Sequence, residues 1–209
     1  MSALLIAAAF IAAVSITGIV AEEKMAWKSQ PGTYAVFDTS EGQIVAQLFA
    51  KDAPKTVENF VGLAEGTKEF KDPQAGSMAK RPFYDGTICH RIIPGFMMQC
   101  GDPTGTGTGG PGYTIPDEYA QQEKKFDVPG RLAMARTSAP NSGGSQFFIT
   151  EKPYPSLNNQ YTIFGQVVEG QGVVDTICSQ VGTPGGKPKH QVTLKKVTIE
   201  KVGGEKTGK

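Results

Sequence analysis

Phe83-Tyr84-Asp85-Gly86-Thr87-Ile88-Cys89-His90-Arg91-Ile92-Ile93-Pro94-Gly95-Phe96-Met97-Met98-Gln99-Cys100-Gly101-Asp102 holds two apolar runs, Thr87 to Ile93 and Phe96 to Cys100, on either side of a Pro-Gly turn. Runs of this length bounded by Gly and Pro read as short β-strands. Toward the N-terminus, Tyr34 to Asp38 and Gln43 to Phe49 alternate apolar with polar residues around Ser40-Glu41-Gly42, the pattern of a tight hairpin. Toward the C-terminus, Leu132 to Ala135, Gln146 to Thr150 and Thr162 to Val168 are further short apolar runs, and Val192 to Val202 alternates as a closing strand. Two segments break this rhythm with a helical stripe. Val57, Phe60, Val61 and Ala64 form the first, with Asp52 placed as its cap, Pro54 in its first turn and Gly66 at its end; Val173, Val174, Ile177 and Val181 form the second. Such a chain is all-β, and the arrangement that leaves no unpaired sheet edge is a closed eight-stranded antiparallel β-barrel capped by two α-helices.

Composition narrows the function classes. Hydrophobic residues make up 39% and charged residues 20% of the 209 residues, the balance of one packed domain. Lys and Arg number 21 against 20 Asp and Glu, so no general field recruits nucleic acid or an anionic membrane surface. Ser2 to Ala21 carries no charge and reads as an export signal; about 20 apolar residues also suffice for a bilayer-spanning helix, so an uncleaved anchor competes with a removed signal peptide. Residues 22–31 read as a linker around Trp27, residues 32–203 as the folded domain, and residues 204–209 as a disordered polar tail. Thr67 to Arg81, rich in Lys, Gly and Pro, reads as an inserted surface loop. Cys89, Cys100 and Cys178 show no C-x-x-C spacing; free buried thiols are one reading, and a Cys89–Cys100 pair is another if the fold brings their Cα atoms within about 7 Å.

Familiar catalytic patterns fail on inspection. Gly105-Thr106-Gly107-Thr108-Gly109-Gly110 satisfies G-x-G-x-x-G, but a dinucleotide loop must open a helix and Pro111 and Pro116 follow at once. Gly143-Gly144-Ser145-Gln146-Phe147 lacks the second Gly of a nucleophile elbow, and only His90 and His190 are available to a Ser-His-acid triad. No His or carboxylate cluster has metal-ligand spacing, so no cofactor or metal is expected.

The quoted stretch resembles the signature of the cyclophilin family, and Ser145-Gln146-Phe147-Phe148-Ile149 is similar to its second motif. The likeness extends from about Thr33 to Val202 and takes in Pro54-Lys55-Thr56-Val57-Glu58-Asn59-Phe60. It implies a peptidyl-prolyl cis-trans isomerase acting on proline-containing polypeptides and assisting their folding, the alternative being a non-catalytic module that binds proline segments; a monomer is the default expectation, and rotation about an amide requires no cofactor. Arg91 is then the catalytic residue, assisted by Gln99. Phe96, Met97, Phe148 and Leu157 form the proline pocket, and Gln146, Ala135 and Arg136 bind the substrate backbone. Tyr161 stands where His is common, and His90 is more simply a structural hydrogen-bonder at the edge of the substrate site. Taken one at a time, Phe96, Met97, Phe148 and Leu157 could equally fill the barrel core.

Departures from the family pattern bear on specificity. Ser156-Leu157 replaces the common Trp-Leu, which removes an indole and predicts weak binding of the cyclic peptide cyclosporin. Arg136 sits where Asn is common, and Thr67 to Arg81 is an added loop. These traits resemble bacterial cyclophilins, and with the apolar leader they imply export to the periplasm or cell envelope.

Overall fold

The computed structural model describes residues 25–120 and 122–203. The apolar segment 1–21 and the tail 204–209 lie outside the described residues.

Alternation drives the sheet. In β1 (Gly32–Thr39) and β2 (Gly42–Leu48) the hairpin closes with Thr39 opposite Gly42, and the Thr39 hydroxyl donates to the Gly42 carbonyl at 2.6 Å and accepts from the Glu41 N–H at 3.0 Å. Further on come β5 (Arg91–Ile93), β6 (Met97–Cys100), β7 (Arg131–Met134), β8 (Phe147–Thr150), β9 (Ile163–Glu169) and β10 (Leu194–Val202). All eight expected strands form one antiparallel sheet in the order β10-β1-β2-β9-β7-β8-β6-β5.

The sheet curls into a half-barrel and does not close along a ladder. Its edge strands approach only where Ile88 bridges Thr193, helped by Cys89 N–H to the Val192 carbonyl at 2.9 Å and Leu194 N–H to the Thr87 carbonyl at 2.8 Å. Expected closure is replaced by a covered edge. The loop Gly182–Gly186 lies against β5, with Ile92 N–H donating to the Gly186 carbonyl at 2.8 Å and Thr183 N–H to the Ile92 carbonyl at 3.1 Å.

Two helices cap the curl. The first, α1 (Pro54–Glu65), buries Val57, Phe60, Leu63 and Ala64. The second, α2 (Gln171–Thr176), runs on through a widened turn at Ile177–Val181 and buries Val174, Ile177, Cys178 and Val181. Inside, Phe37, Phe60, Tyr84, Phe147 and Phe164 pack as a cluster of rings, Phe60 lying 5.0 to 6.0 Å from each of the others between centroids. At its C-terminus α1 stops at Gly66 (φ +70°), where a Cβ would collide with the Arg81–Pro82 backbone.

The N-terminus of α1 corrects the expected cap. Asp52 makes no capping bond and instead pairs with Lys124 at 3.5 Å. Glu118, far along the chain, accepts from Lys55 N–H at 3.1 Å, Thr56 N–H at 2.8 Å and the Thr56 hydroxyl at 2.7 Å. A carboxylate there satisfies orphan N–H groups and faces the positive end of the helix dipole.

Two segments are more ordered than expected. Residues 22–31 are not all linker, since Ala26–Ser29 forms a 3₁₀ turn whose Trp27 is buried against Tyr34 and donates its indole N–H to Glu169 at 3.0 Å. The inserted loop contains a small hairpin, β3 (Phe70–Lys71) with β4 (Met78–Ala79), and Phe70 is anchored edge-on to Phe83 at 4.7 Å. Asp72 accepts from Arg81 at 2.7 Å and from Gln74 N–H at 2.9 Å, which holds its carboxyl below the usual range.

The thiols also divide. Cys89, just before β5, and Cys100, at the end of β6, have Cα atoms 4.0 Å apart and form a disulfide, so the free-thiol reading holds only for buried Cys178. Burial pushes the Cys178 thiol up to about 12, with Glu151 and Asp175 adding to the shift.

Because the α1 cap is tertiary, Glu118→Ala should lower stability by about 1 to 2 kcal/mol in urea unfolding, whereas Asp52→Ala should stay within about 0.5 kcal/mol. A larger loss from Asp52→Ala would contradict the assignment.

Candidate active site

The site is built on the outer face of the sheet. In β6 and β8 the register pairs Met98 with Ile149 and Cys100 with Phe147, all in the main core, while Met97, Gln99 and Phe148 fall on the other face. There Met97, Phe148, Phe126, Ala133, Ala135 and Ile163 form a second apolar cluster, with Phe96, Leu157 and Tyr161 packed at its edge. Phe126 stacks on Phe148 at 6.0 Å, and Tyr161 meets Phe148 edge-on at 5.4 Å. Phe96, Met97, Phe148 and Leu157 therefore do not fill the main core.

A cavity of about 120 Å³ opens in this cluster, lined by Arg91, Phe96, Met97, Gln99, Ala135, Arg136, Phe148, Leu157 and Tyr161. Phe96, Met97, Phe148 and Leu157 give it an apolar wall, and Arg91, Arg136 and the Gln99 amide supply its polar lining. Arg91 comes from β5, directly opposite Gln99 in β6, and its guanidinium lies 5.9 Å from the Phe96 ring. Arg136 closes the far side over Tyr161 at 5.2 Å and Tyr119 at 5.5 Å, held by its bond to the Gln160 carbonyl at 2.9 Å.

A wider groove of about 470 Å³ adjoins the pocket, sharing Gln99, Ala135 and Arg136 with it. It runs between the Gly107–Thr114 loop and Thr137–Gln146.

Hydrogen bonds fix which way the amides at the rim point. The Gln146 amide NH₂ donates to the Gly107 carbonyl at 3.0 Å and the Gly109 carbonyl at 2.9 Å, so its oxygen must face Gln99. Gln99 Nε2 donates to that oxygen at 2.9 Å, and Gln99 Oε1 in turn accepts from Arg91 Nη1 at 3.4 Å. The relay ends on a cation at the pocket mouth.

The loop that orients the relay is itself held by Asp102. Its fully buried carboxylate accepts from Thr104 N–H at 2.7 Å, the Thr104 hydroxyl at 2.8 Å, Gly107 N–H at 2.5 Å and Gly109 N–H at 3.1 Å. Burial alone would raise this carboxyl, but the bonds from Thr104, Gly109 and Gly107 outweigh it and hold it below the usual range. A Cβ on Gly109 would clash with that carboxylate, so the close approach requires glycine. The Gly-rich run thus serves a carboxylate and an amide, not a phosphate.

Of the residues singled out from sequence, His90 is the one that lines neither cavity. It sits under Gly107, its Nδ1 buried with no hydrogen-bond partner among the described residues. Burial lowers its basicity, Asp102 opposes that and Arg91 adds to it, so the ring is held neutral to lower pH than usual. Sequence reasoning missed Asp102, although Asp-x-Thr ahead of a glycine run is the signal of a side-chain-stabilised turn. No signal marked Glu118 or the groove residues Pro111, Tyr113 and Ser142, which are gathered only by folding. Among the described residues no group of His, Cys, Asp and Glu has the geometry of a metal site.

Comparison with known proteins agrees with this geometry. The family model described as cyclophilin type peptidyl-prolyl cis-trans isomerase/CLD matches residues 34–203. Peptidyl-prolyl cis-trans isomerase A of Mycobacterium tuberculosis is 48% identical over 167 residues, covering 79% of this chain and 91% of the relative. Peptidyl-prolyl cis-trans isomerase B of Streptomyces anulatus is 44% identical over 170 residues, covering 80% and 96%. Among solved structures, a cyclophilin type peptidyl-prolyl cis-trans isomerase of Cryptosporidium parvum superposes with a TM-score of 0.68 at 34% identity, covering 80% of this chain and 97% of that one. The same Cryptosporidium protein, solved in the presence of the dipeptide Ala-Pro, superposes with a TM-score of 0.67 at 35% identity, covering 80% and 98%. With its curled eight-stranded sheet, its two helices and a match spanning nearly all of the described residues, the chain belongs to the cyclophilin-type peptidyl-prolyl cis-trans isomerases.

Proposed function

We propose that Arg91 is the catalytic group of this isomerase and that the 120 Å³ pocket holds the prolyl ring of a client polypeptide. The observation that carries this reading is a guanidinium oriented by Gln99 at the mouth of a cavity walled by Phe96, Met97, Phe148 and Leu157. An X-Pro bond resists rotation because its C–N bond is partly double, with a barrier of about 18 to 20 kcal/mol. Rotation breaks no bond, so the enzyme has only to favour the twisted amide. In that state the prolyl nitrogen becomes pyramidal and regains a lone pair, to which Arg91 donates; the planar ground state offers it little.

Phe96, Met97, Phe148 and Leu157 grip the ring, with Tyr161 and Arg136 closing the far side. Main-chain atoms at Ala135 and the amides of Gln99 and Gln146 hold the flanking backbone in the 470 Å³ groove. The Ala-Pro dipeptide named with the Cryptosporidium protein supports a proline-containing substrate. Accelerating a process of tens of seconds to milliseconds is about 10⁴-fold, or roughly 5.5 kcal/mol, within reach of one charge-assisted bond together with fixed orientation against the pocket wall. The protein acts as a monomer without a cofactor.

Replacing Arg91 by Ala should lower kcat/KM on an Ala-Pro peptide by about 100-fold or more, with peptide affinity reduced far less. Wild-type kcat/KM should be level from pH 7 to 9. Rotation about an amide transfers no proton, and His90, whose folded basicity is depressed by burial, contributes stability that is complete above about pH 6.5 and is lost progressively as pH falls from there through its lower folded value. Cis-to-trans relaxation followed across that range checks both points; a retained rate in Arg91→Ala would remove Arg91 from the mechanism and favour a module that merely holds proline segments.

Exposed Ser156 offers no indole at the pocket rim, which supports weak cyclosporin binding. Inhibition titrations on Ser156→Trp should show at least a fivefold gain in cyclosporin affinity over wild type, and an unchanged affinity would locate the weakness elsewhere.

We further infer export to the periplasm or cell envelope, supported by the uncharged leader and by a disulfide, a bond that persists in oxidising compartments. Protein taken from cells without reductant should be found in the envelope fraction and should show only Cys178 as a free thiol after denaturation. Recovery from the cytosol with all of its cysteines reduced would refute export.

A further inference from the structure

The segment leaving β8 does more than connect. Glu151 N–H donates to the Phe96 carbonyl at 2.8 Å, and the buried Glu151 carboxylate accepts from Gly95 N–H at 2.5 Å, so this segment is tied to the turn that presents Phe96. Three residues on, Tyr154 N–H donates to the Phe126 carbonyl at 2.8 Å, while the Tyr154 carbonyl accepts from Leu157 N–H at 3.0 Å. These bonds hold the Tyr154 ring 4.4 Å from the ring of Phe96, tilted by 35°. Phe96 lines the pocket, yet Tyr154 does not, and it remains 37% exposed.

A large ring so exposed, held rigidly by main-chain bonds against a pocket residue, forms an aromatic shelf continuous with the pocket wall. Its position follows from Pro153 and Pro155, which flank Tyr154 and restrict the chain on either side. Ser156, next on this segment, contributes no ring.

We propose that Tyr154 and Phe96 form a specificity subsite that takes an aromatic or large aliphatic side chain neighbouring the proline of the client. The proposal rests on the reading of the adjoining cavity as the proline pocket. Offset or edge contacts between rings at a partly exposed site correspond to about three- to tenfold in affinity, and that is the discrimination the shelf provides.

The test uses short peptides in which the residue before or after Pro is Phe, Leu or Gly. Wild-type protein should favour Phe over Gly by about three- to tenfold in kcat/KM at one of the two flanks. Tyr154→Ala should bring that ratio close to one, and Tyr154→Phe should keep it. A ratio near one in the wild type at both flanks overturns the subsite, as does a ratio that Tyr154→Ala leaves intact. Equal losses on every peptide would reduce Tyr154 to structural support. Peptide Kd measured on the Arg91→Ala background separates this from the catalytic assignment: a Phe preference that persists there upholds the subsite whatever becomes of Arg91, and its absence there refutes it.

Discussion

Between β6 and β8, Met98, Cys100, Phe147 and Ile149 face the interior of the curl, and Met97, Gln99 and Phe148 face out. A strand repeats every two residues, so one short ladder holds the core with one set of side chains and the 120 Å³ pocket with the other. A slip of one residue would exchange the sets, placing Gln99 among the packed rings and Phe147 on the pocket face. The Pro94–Gly95 turn and the Cys89–Cys100 disulfide bracket the neighbouring β5–β6 hairpin and fix β6 from its other side. Rings packed about Phe60 on one side and about Phe148 on the other then reward the same register twice.

Polarity at the site is arranged from below. Buried Asp102 gathers N–H groups of the glycine loop, the loop carbonyls orient Gln146, Gln146 orients Gln99, and Gln99 meets Arg91. Each amide has one arrangement that satisfies its neighbours, so little reorganisation is left for the moment of catalysis. Rotation about an amide transfers no proton, and among the described residues no His, Asp, Glu or Cys lines the pocket; His90 lies beneath the loop with burial favouring its neutral form. This separates an isomerase site from a hydrolase site, where a nucleophile and base must exchange a proton.

Several parts of the fold depend on contacts between distant segments. Glu118 caps a helix more than sixty residues before it, Trp27 reaches Glu169, and Phe70 pins the inserted loop to Phe83. The loop at Gly182–Gly186 covers the β5 edge that a closed ladder would otherwise have paired. These devices differ in kind, but each supplies a partner to a group that would be orphaned or exposed.

Local pattern alone determined the eight strands, both helices and the β1–β2 hairpin, because two-residue and 3.6-residue periodicities are carried by neighbouring residues. The motif likewise brought Arg91, Phe96, Met97, Gln99, Gln146 and Phe148 into view, since they lie on or next to β5, β6 and β8, which pair in series. Only the tertiary structure decided which apolar residues line the pocket and which fill the core, since burial on either face selects the same side-chain types. It alone replaced Asp52 by Glu118 as the helix cap, paired Cys89 with Cys100, folded Trp27 into the domain, set His90 beneath Gly107, and set Tyr154 against Phe96. Sequence spacing records no distance between segments far apart in the chain. Those partners are chosen by which groups the folded sheet leaves unpaired and within reach.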